Sequence, residues 1–128
     1  MEKSNKTQER KWSEWFEIPA SDFERAISFY ENVFKTSIHI NDFGSFKMGI
    51  FPHKQVGGAI CYGEHYQPGT SGPLVYLNAN PDLQIIQDRI EGAGGKILVP
   101  KKPISPEHGF MALFLDSEGN RLALHSMV

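Results

Sequence analysis

Glu17, Tyr62 and His125 bring a carboxylate, a phenol and an imidazole, and each falls in a strand-like stretch of the chain. Groups of these kinds can serve as general base, hydrogen-bond donor and acid. Glu17 lies two residues after Trp15, and His125 two after Ala123, so strand alternation puts each pair on one face. Trp15 adds a large apolar plane able to stack on a flat ligand. Each also has a plain reading: a solvated carboxylate at a strand rim, a half-buried strand tyrosine, a structural histidine, a tryptophan that fills its own groove. A Glu–His pair is also half of a metal site. However, His39, His53, His65 and His108 show no paired H-x-x-x-H spacing, and no metal ligand is assigned. Cys61 is read as a buried thiol on the helix-facing side of its strand. Lys101 and Lys102 can attract an anion or simply be solvated. Gly57-Gly58 and Gly94-Gly95 lack the strand-to-helix context of a phosphate-binding loop.

The elements that must position these groups repeat. Trp15-Phe16-Glu17-Ile18 reads as a strand and is followed by an S-x-x-E capping box, Ser21 and Glu24. Phe23, Ala26, Ile27, Tyr30, Val33 and Phe34 then fall at helical spacing, to about Phe34. Short strands return the chain to Ile60-Cys61-Tyr62. Leu74-Val75-Tyr76-Leu77 begins the plan again. Asn80 is expected as helix cap with Pro81 at the first helical position, and Leu83, Ile86, Ile90 and Ala93 form the stripe that Gly94-Gly95 ends. Strands Phe110–Leu115 and Leu122–His125 close the second unit. Superposing Asp22 on Asp82 puts Trp15 over Val75, strand over strand. A repeat of this kind predicts two supersecondary units that share one core. The fold class is α+β: two βαβββ modules whose curved sheets enclose a cleft.

Alternation sends Phe16, Ile18, Leu122 and Leu124 toward the helices. Trp15, Glu17, Ala123 and His125 then face the cleft, with Tyr62 if Ile60 shares its register. Pro100 to Gly109, with three prolines, reads as a long loop, a lid or a surface excursion.

The chain has 128 residues, enough for one domain, and is 40% hydrophobic. A net charge of −2 gives no electrostatic argument for nucleic acid or an anionic membrane. The single cysteine fits a reducing compartment, no apolar run approaches a membrane span, and a cytoplasmic protein is expected. Residues 1–11 are nearly all polar and are expected to form a disordered tail. Residues 12–128 then make the domain, with module one at about 12–66 and module two at about 73–127.

The sequence resembles the vicinal-oxygen-chelate superfamily of glyoxalase I, bleomycin-resistance proteins and extradiol dioxygenases, from about Trp12 to Met127. The likeness is carried by Ala26-Ile27-Ser28-Phe29-Tyr30, by Gly94-Gly95-Lys96, and by the ending Phe110–Leu115 with Asp116-Ser117-Glu118-Gly119-Asn120-Arg121-Leu122-Ala123-Leu124-His125-Ser126. Trp15–Ile18, Gly119-Asn120-Arg121 and Leu124-His125-Ser126 are similar to a subgroup described as glyoxalase-like predicted lyases. In metal-dependent members of the superfamily four strands supply four ligands, usually His, Glu, His and Glu, to one divalent ion. On this chain those positions fall on Trp15, near Ile60, on Val75 or Pro73, and on Ala123, none of which binds a divalent ion.

The resemblance therefore implies a small-molecule-binding protein without the usual metal and with no expected cofactor. Its cleft is lined by Trp15, Glu17, Tyr62, Val75, Ala123 and His125, and it forms a homodimer. Two alternatives stand beside this: a lyase or isomerase related to lactoylglutathione lyase that uses Glu17 and His125, and a non-catalytic protein-interaction module.

Overall fold

The computed structural model describes residues 9–128; most of the polar tail expected at 1–11 lies outside the described residues. Module one runs β1 (Trp15–Pro19), α1 (Phe23–Phe34), β2 (His39–Asp42), β3 (Lys47–Ile50), β4 (Gly57–Tyr62). Module two runs β5 (Tyr76–Asn78), α2 (Leu83–Ile90), β6 (Lys96–Ser105), β7 (Gly109–Leu115), β8 (Arg121–Ser126). Each module builds a four-stranded curved sheet, in the orders β1-β4-β3-β2 and β5-β8-β7-β6. The first strand of each pairs in parallel with the last, and the remaining pairs are antiparallel. This is the expected α+β plan of two βαβββ modules. No helix among the described residues is long and apolar enough to cross a membrane.

One core serves both modules. Phe23, Ile27, Phe29, Tyr30 and Val33 of α1, with Leu83 and Ile90 of α2, pack on Ile18, Ile60, Leu77, Phe114, Leu122 and Leu124 of the sheets. Phe29 stacks on Phe114 across the module boundary, with ring centroids 6.4 Å apart. At Gly49 an added Cβ would stand 2.3 Å from Ile27 Cδ1, so the Ile27 side chain of α1 occupies the space that glycine leaves on β3.

Four local expectations need correction. First, Asp22, not Ser21, caps α1, its side chain accepting from Arg25 N at 3.1 Å. The amides of Ser21 and Asp22 go instead to Glu118 of module two, at 2.9 and 2.8 Å, and Glu24 plays no capping part. Second, Asp82 caps α2, so Asn80 and Pro81 lie before the cap. Third, this added residue shifts the repeat. Ala20 N donates to Cys61 O and Ala79 N to His125 O, so Ala20 matches Ala79 and Phe16, not Trp15, lies over Val75. Fourth, Pro100 to Gly109 is mostly strand. Residues to Ser105 belong to β6, an edge strand with three register shifts, the place in a sheet where prolines are tolerated.

Candidate functional site

Strand alternation sets the face turned away from the helices. In β1 it carries Trp15, Glu17 and Pro19, and the register puts Gly57, Ala59 and Cys61 of β4 beside them. In module two the same face carries Tyr76 and Asn78 of β5 with Ala123 and His125 of β8. Ile60 lies in the core, and Tyr62, which shares its parity, packs against the core as well. Lys47 Nζ lies over both the Tyr62 and Phe23 rings, 5.8 and 5.9 Å from their centroids, which ties Tyr62 to the helix side. Tyr62 is thus not a cleft residue beside Glu17, and Cys61 is not helix-facing. Both errors follow from reading β4 one residue out of register.

Glu17 is the polar centre of this face in module one. Its carboxylate accepts from Tyr66 Oη at 2.6 Å and from Trp15 Nε1 at 3.3 Å. Tyr66 follows β4 in a turn closed by Tyr66 N donating to Gly63 O, and its ring stacks on Phe46, which stacks on Phe43. The bond to Glu17 raises the Tyr66 phenol above its ordinary value, so it stays a donor. Cys61 lies under this cluster. Burial and then the Glu17 charge push its thiol up to about 12, so it is a neutral group and not a nucleophile. Trp15 meets His53 edge-on at 5.7 Å and remains 39% exposed.

His125 stands apart in module two. Its Nε2 donates to His108 O at 2.6 Å; since a carbonyl only accepts, Nε2 carries the proton. Glu17 and His125 share no hydrogen-bond partner, and the cavity that Glu17 lines does not reach His125. The structure does not assemble them as an acid–base pair. Lys101 is held by Asp82 at 2.8 Å and lies over the Phe110 ring, so it is no free anion attractor.

Where the two modules meet, a cavity of about 460 Å³ opens between β1 and the start of β8. Glu17 and Pro19 line one side, Val75 and Leu122 the other, and the segment from Gln67 to Pro73 borders it. Arg121 also lines it and holds Gly72 O through Nη2 at 3.4 Å. The volume lies within the range of small-molecule pockets, roughly 300–1,000 Å³. The β7–β8 turn positions this wall. Asn120 Nδ2 donates to Pro19 O at 2.7 Å, and Gly69 N donates to Asn120 Oδ1 at 3.0 Å, tying β1, the linker and β8 together. Trp15, Glu17 and Val75 therefore stand at or beside the cavity, while Ala123 is buried beside Tyr76. Sequence reasoning missed Tyr66 and Arg121. Tyr66 lies in a turn without periodicity, and Arg121 counted only as part of a motif.

The residues present do not fit the divalent ion that metal-dependent members of the resembled superfamily hold. With the register corrected, the four ligand positions fall on Trp15, Ala59, Tyr76 and Ala123, which offer no hard anionic or imidazole ligand, and Glu17 and His125 on the same face share no partner. Among the described residues no three His, Cys, Asp or Glu side chains converge closely enough to hold a metal.

No family model and no curated protein matches the sequence. Solved structures do match the fold. A glyoxalase-related enzyme from Fulvimarina pelagi superposes with a TM-score of 0.70 at 14% identity, over 91% of this chain and 88% of that one. The genomically encoded fosfomycin resistance protein FosX from Listeria monocytogenes gives 0.65 at 16%, over 95% and 94%. Glyoxalase I from Zea mays gives 0.68 at 19%, over 88% of this chain and 45% of that longer one. With its two βαβββ modules around a shared core, the chain has the vicinal-oxygen-chelate fold of glyoxalase I and the fosfomycin resistance proteins.

Proposed function

We propose that this protein binds a small organic molecule in the cavity between its modules, without a divalent metal. The cavity of about 460 Å³ carries the reading: it is mostly apolar, with Glu17 and Arg121 as its charged groups. Glu17 is pre-oriented by Trp15 and Tyr66, so it presents a fixed acceptor with little ordering cost on binding. A cytoplasmic setting and a homodimer belong to the same reading. The single, buried, neutral thiol supports the first. Exposed Trp15 and Tyr76 on the open face of the sheets support the second.

The test is thermal unfolding with naphthylacetamide, a flat neutral probe, and separately with nickel, zinc, manganese or iron. We expect the probe to raise Tm by a few degrees at saturating concentration and the metals to leave it unchanged. Gly69→Phe should block the probe, because Gly69 lines the cavity and an added Cβ there meets nothing within 4 Å. Stabilisation by a metal, or by the probe equally in Gly69→Phe, would overturn the reading.

A further inference from the structure

We infer that the cavity between the modules selects organic monoanions, with a ligand carboxylate seated on the Arg121 guanidinium. The inference rests on the binding reading above and adds the chemical class of the ligand. Arg121 begins β8, with its backbone N donating to Gly69 O at 3.3 Å, so the residue is fixed at the cavity wall. A guanidinium offers five N–H donors. Among the described residues those of Arg121 meet one acceptor, Gly72 O at 3.4 Å, and Nε is buried with no partner. Among the described residues three cations have carboxylates: Arg25 has Glu118, Lys47 has Glu24 and Lys101 has Asp82, while half-buried Arg89 lies away from the cavity and donates to Val33 O. Arg121 is half-buried and has none. A cation drawn partly out of water without a counter-charge is unfavourable, and an anion entering the cavity relieves it. The planar fork of arginine matches a carboxylate through two parallel bonds.

Glu17 sets the upper limit on charge. It lines the same cavity from β1 and is not ion-paired with Arg121. A dianion such as a phosphomonoester would meet about twice the repulsion from Glu17 across an apolar space that a monocarboxylate meets, with the same single guanidinium to offset it. The lining by Ile18, Pro68, Pro73, Val75 and Leu122 calls for an apolar body behind the carboxylate. The ligand class is thus a small, apolar monocarboxylate.

The experiment compares naphthylacetate with naphthylacetamide, which has nearly the same shape without the charge, by isothermal titration calorimetry. Wild type is expected to bind the acetate about tenfold or more tightly than the amide, as a charge-assisted bond implies. Arg121→Gln should weaken acetate binding by a larger factor than amide binding and so remove that preference, and Arg121→Lys should keep part of it. Equal affinity of wild type for the two probes overturns the monoanion inference and leaves the binding reading standing. Failure of both probes overturns the two together. A preference that survives in Arg121→Gln places the anion elsewhere and overturns the role of Arg121. If Arg121→Gln does not fold, Arg121→Lys against wild type still decides. An unchanged ratio together with an unchanged acetate affinity overturns the paired geometry, since an ammonium cannot reproduce it.

Discussion

Helix α1 begins at Asp22 beneath a carboxylate that belongs to the other module, whereas α2 begins at Asp82 beside a lysine from its own sheet. Glu118 receives the Ser21 and Asp22 amides, the Ser21 and Ser117 hydroxyls and the Arg25 guanidinium. Its neighbour Asp116, 3% exposed, accepts from Tyr30 Oη at 2.7 Å, and also from Glu118 N, Asn120 N and Asn120 Nδ2. The start of module one is thus completed by the β7–β8 turn of module two, and no equivalent contact runs from module one's β3–β4 connection to Asp82. The repeat is symmetric in its strands and asymmetric in its polar couplings. The same turn leads into Arg121, so the element that joins the modules also sets the wall of the cavity.

The largest effect is expected where that asymmetry is greatest. Asp116→Ala leaves several buried donors without an acceptor, including the Tyr30 hydroxyl, whose pKa burial and then Asp116 push well above its ordinary value. A loss of about 3–5 kcal/mol is expected in urea unfolding, the range for breaking a buried polar network. Lys101→Ala, which removes the intramodule pair at α2, should move the midpoint far less, because that pair is only partly withdrawn from water and is a single contact. Comparable shifts from the two would mean that the coupling across the modules carries no special weight.

Acid isolates the same contrast in one group. Burial pushes the Glu118 carboxyl up, but Arg25, the Asp22 amide and the Ser117 and Ser21 hydroxyls outweigh it and hold it down at about 2. Its ordinary value is 4.5. A group depressed in the folded state adds stability that is fully present above the unfolded value and disappears as pH falls through the folded one. Wild type should therefore lose roughly 3 kcal/mol between about pH 4.5 and 2 on account of Glu118. Glu118→Gln should be less stable than wild type at neutral pH and lose correspondingly less over that window, as chemical unfolding at stepped pH would read. An acid limb as steep in Glu118→Gln as in wild type would assign it to other carboxylates.

The parts of this asymmetry that were legible in the sequence are those with a period. Phe16 and Ile18 alternate with Trp15 and Glu17, and Leu122 and Leu124 with Ala123 and His125, so alternation alone orients these two strands. Strand β4 could not, because Gly57-Gly58-Ala59-Ile60-Cys61-Tyr62 is buried on both faces through Cys61 and has no polar residue to break the tie. Its misreading put Tyr62 where Cys61 lies. The prolines of β6 look like loop residues because a sequence does not say which strand is an edge. The capping box at Ser21 failed for a similar reason: a local motif competes with Glu118, distant in sequence, which no local pattern reveals. Glu17 was found by its strand parity. Tyr66 and Arg121 become candidates only through what lies opposite them in space.

The smallest expected effect contrasts the two helix ends. After α1 the chain turns at Lys35, in the left-handed region at φ 53° and ψ 54°, with its N–H donating to Glu31 O. After α2 it turns through Gly94, at φ 108°. An L-residue in the left-handed region costs on the order of 1 kcal/mol, and glycine avoids that at some loss of unfolded-chain restraint. Lys35 is exposed, so Lys35→Gly should remove the backbone cost without loss of packing and stabilise by about 0.5 kcal/mol, once the extra freedom of the unfolded chain is counted. Gly94→Ala should destabilise by about 1 kcal/mol or more, and for a reason confined to the backbone. The added Cβ would approach nothing nearer than Ser117 Cβ at 4.0 Å, so steric crowding contributes nothing. Urea midpoints should therefore move in opposite directions for the two variants, since one module ends its helix against the backbone's preference and the other with it. Movement in the same direction would show that the Lys35 side chain supplies something beyond its backbone conformation.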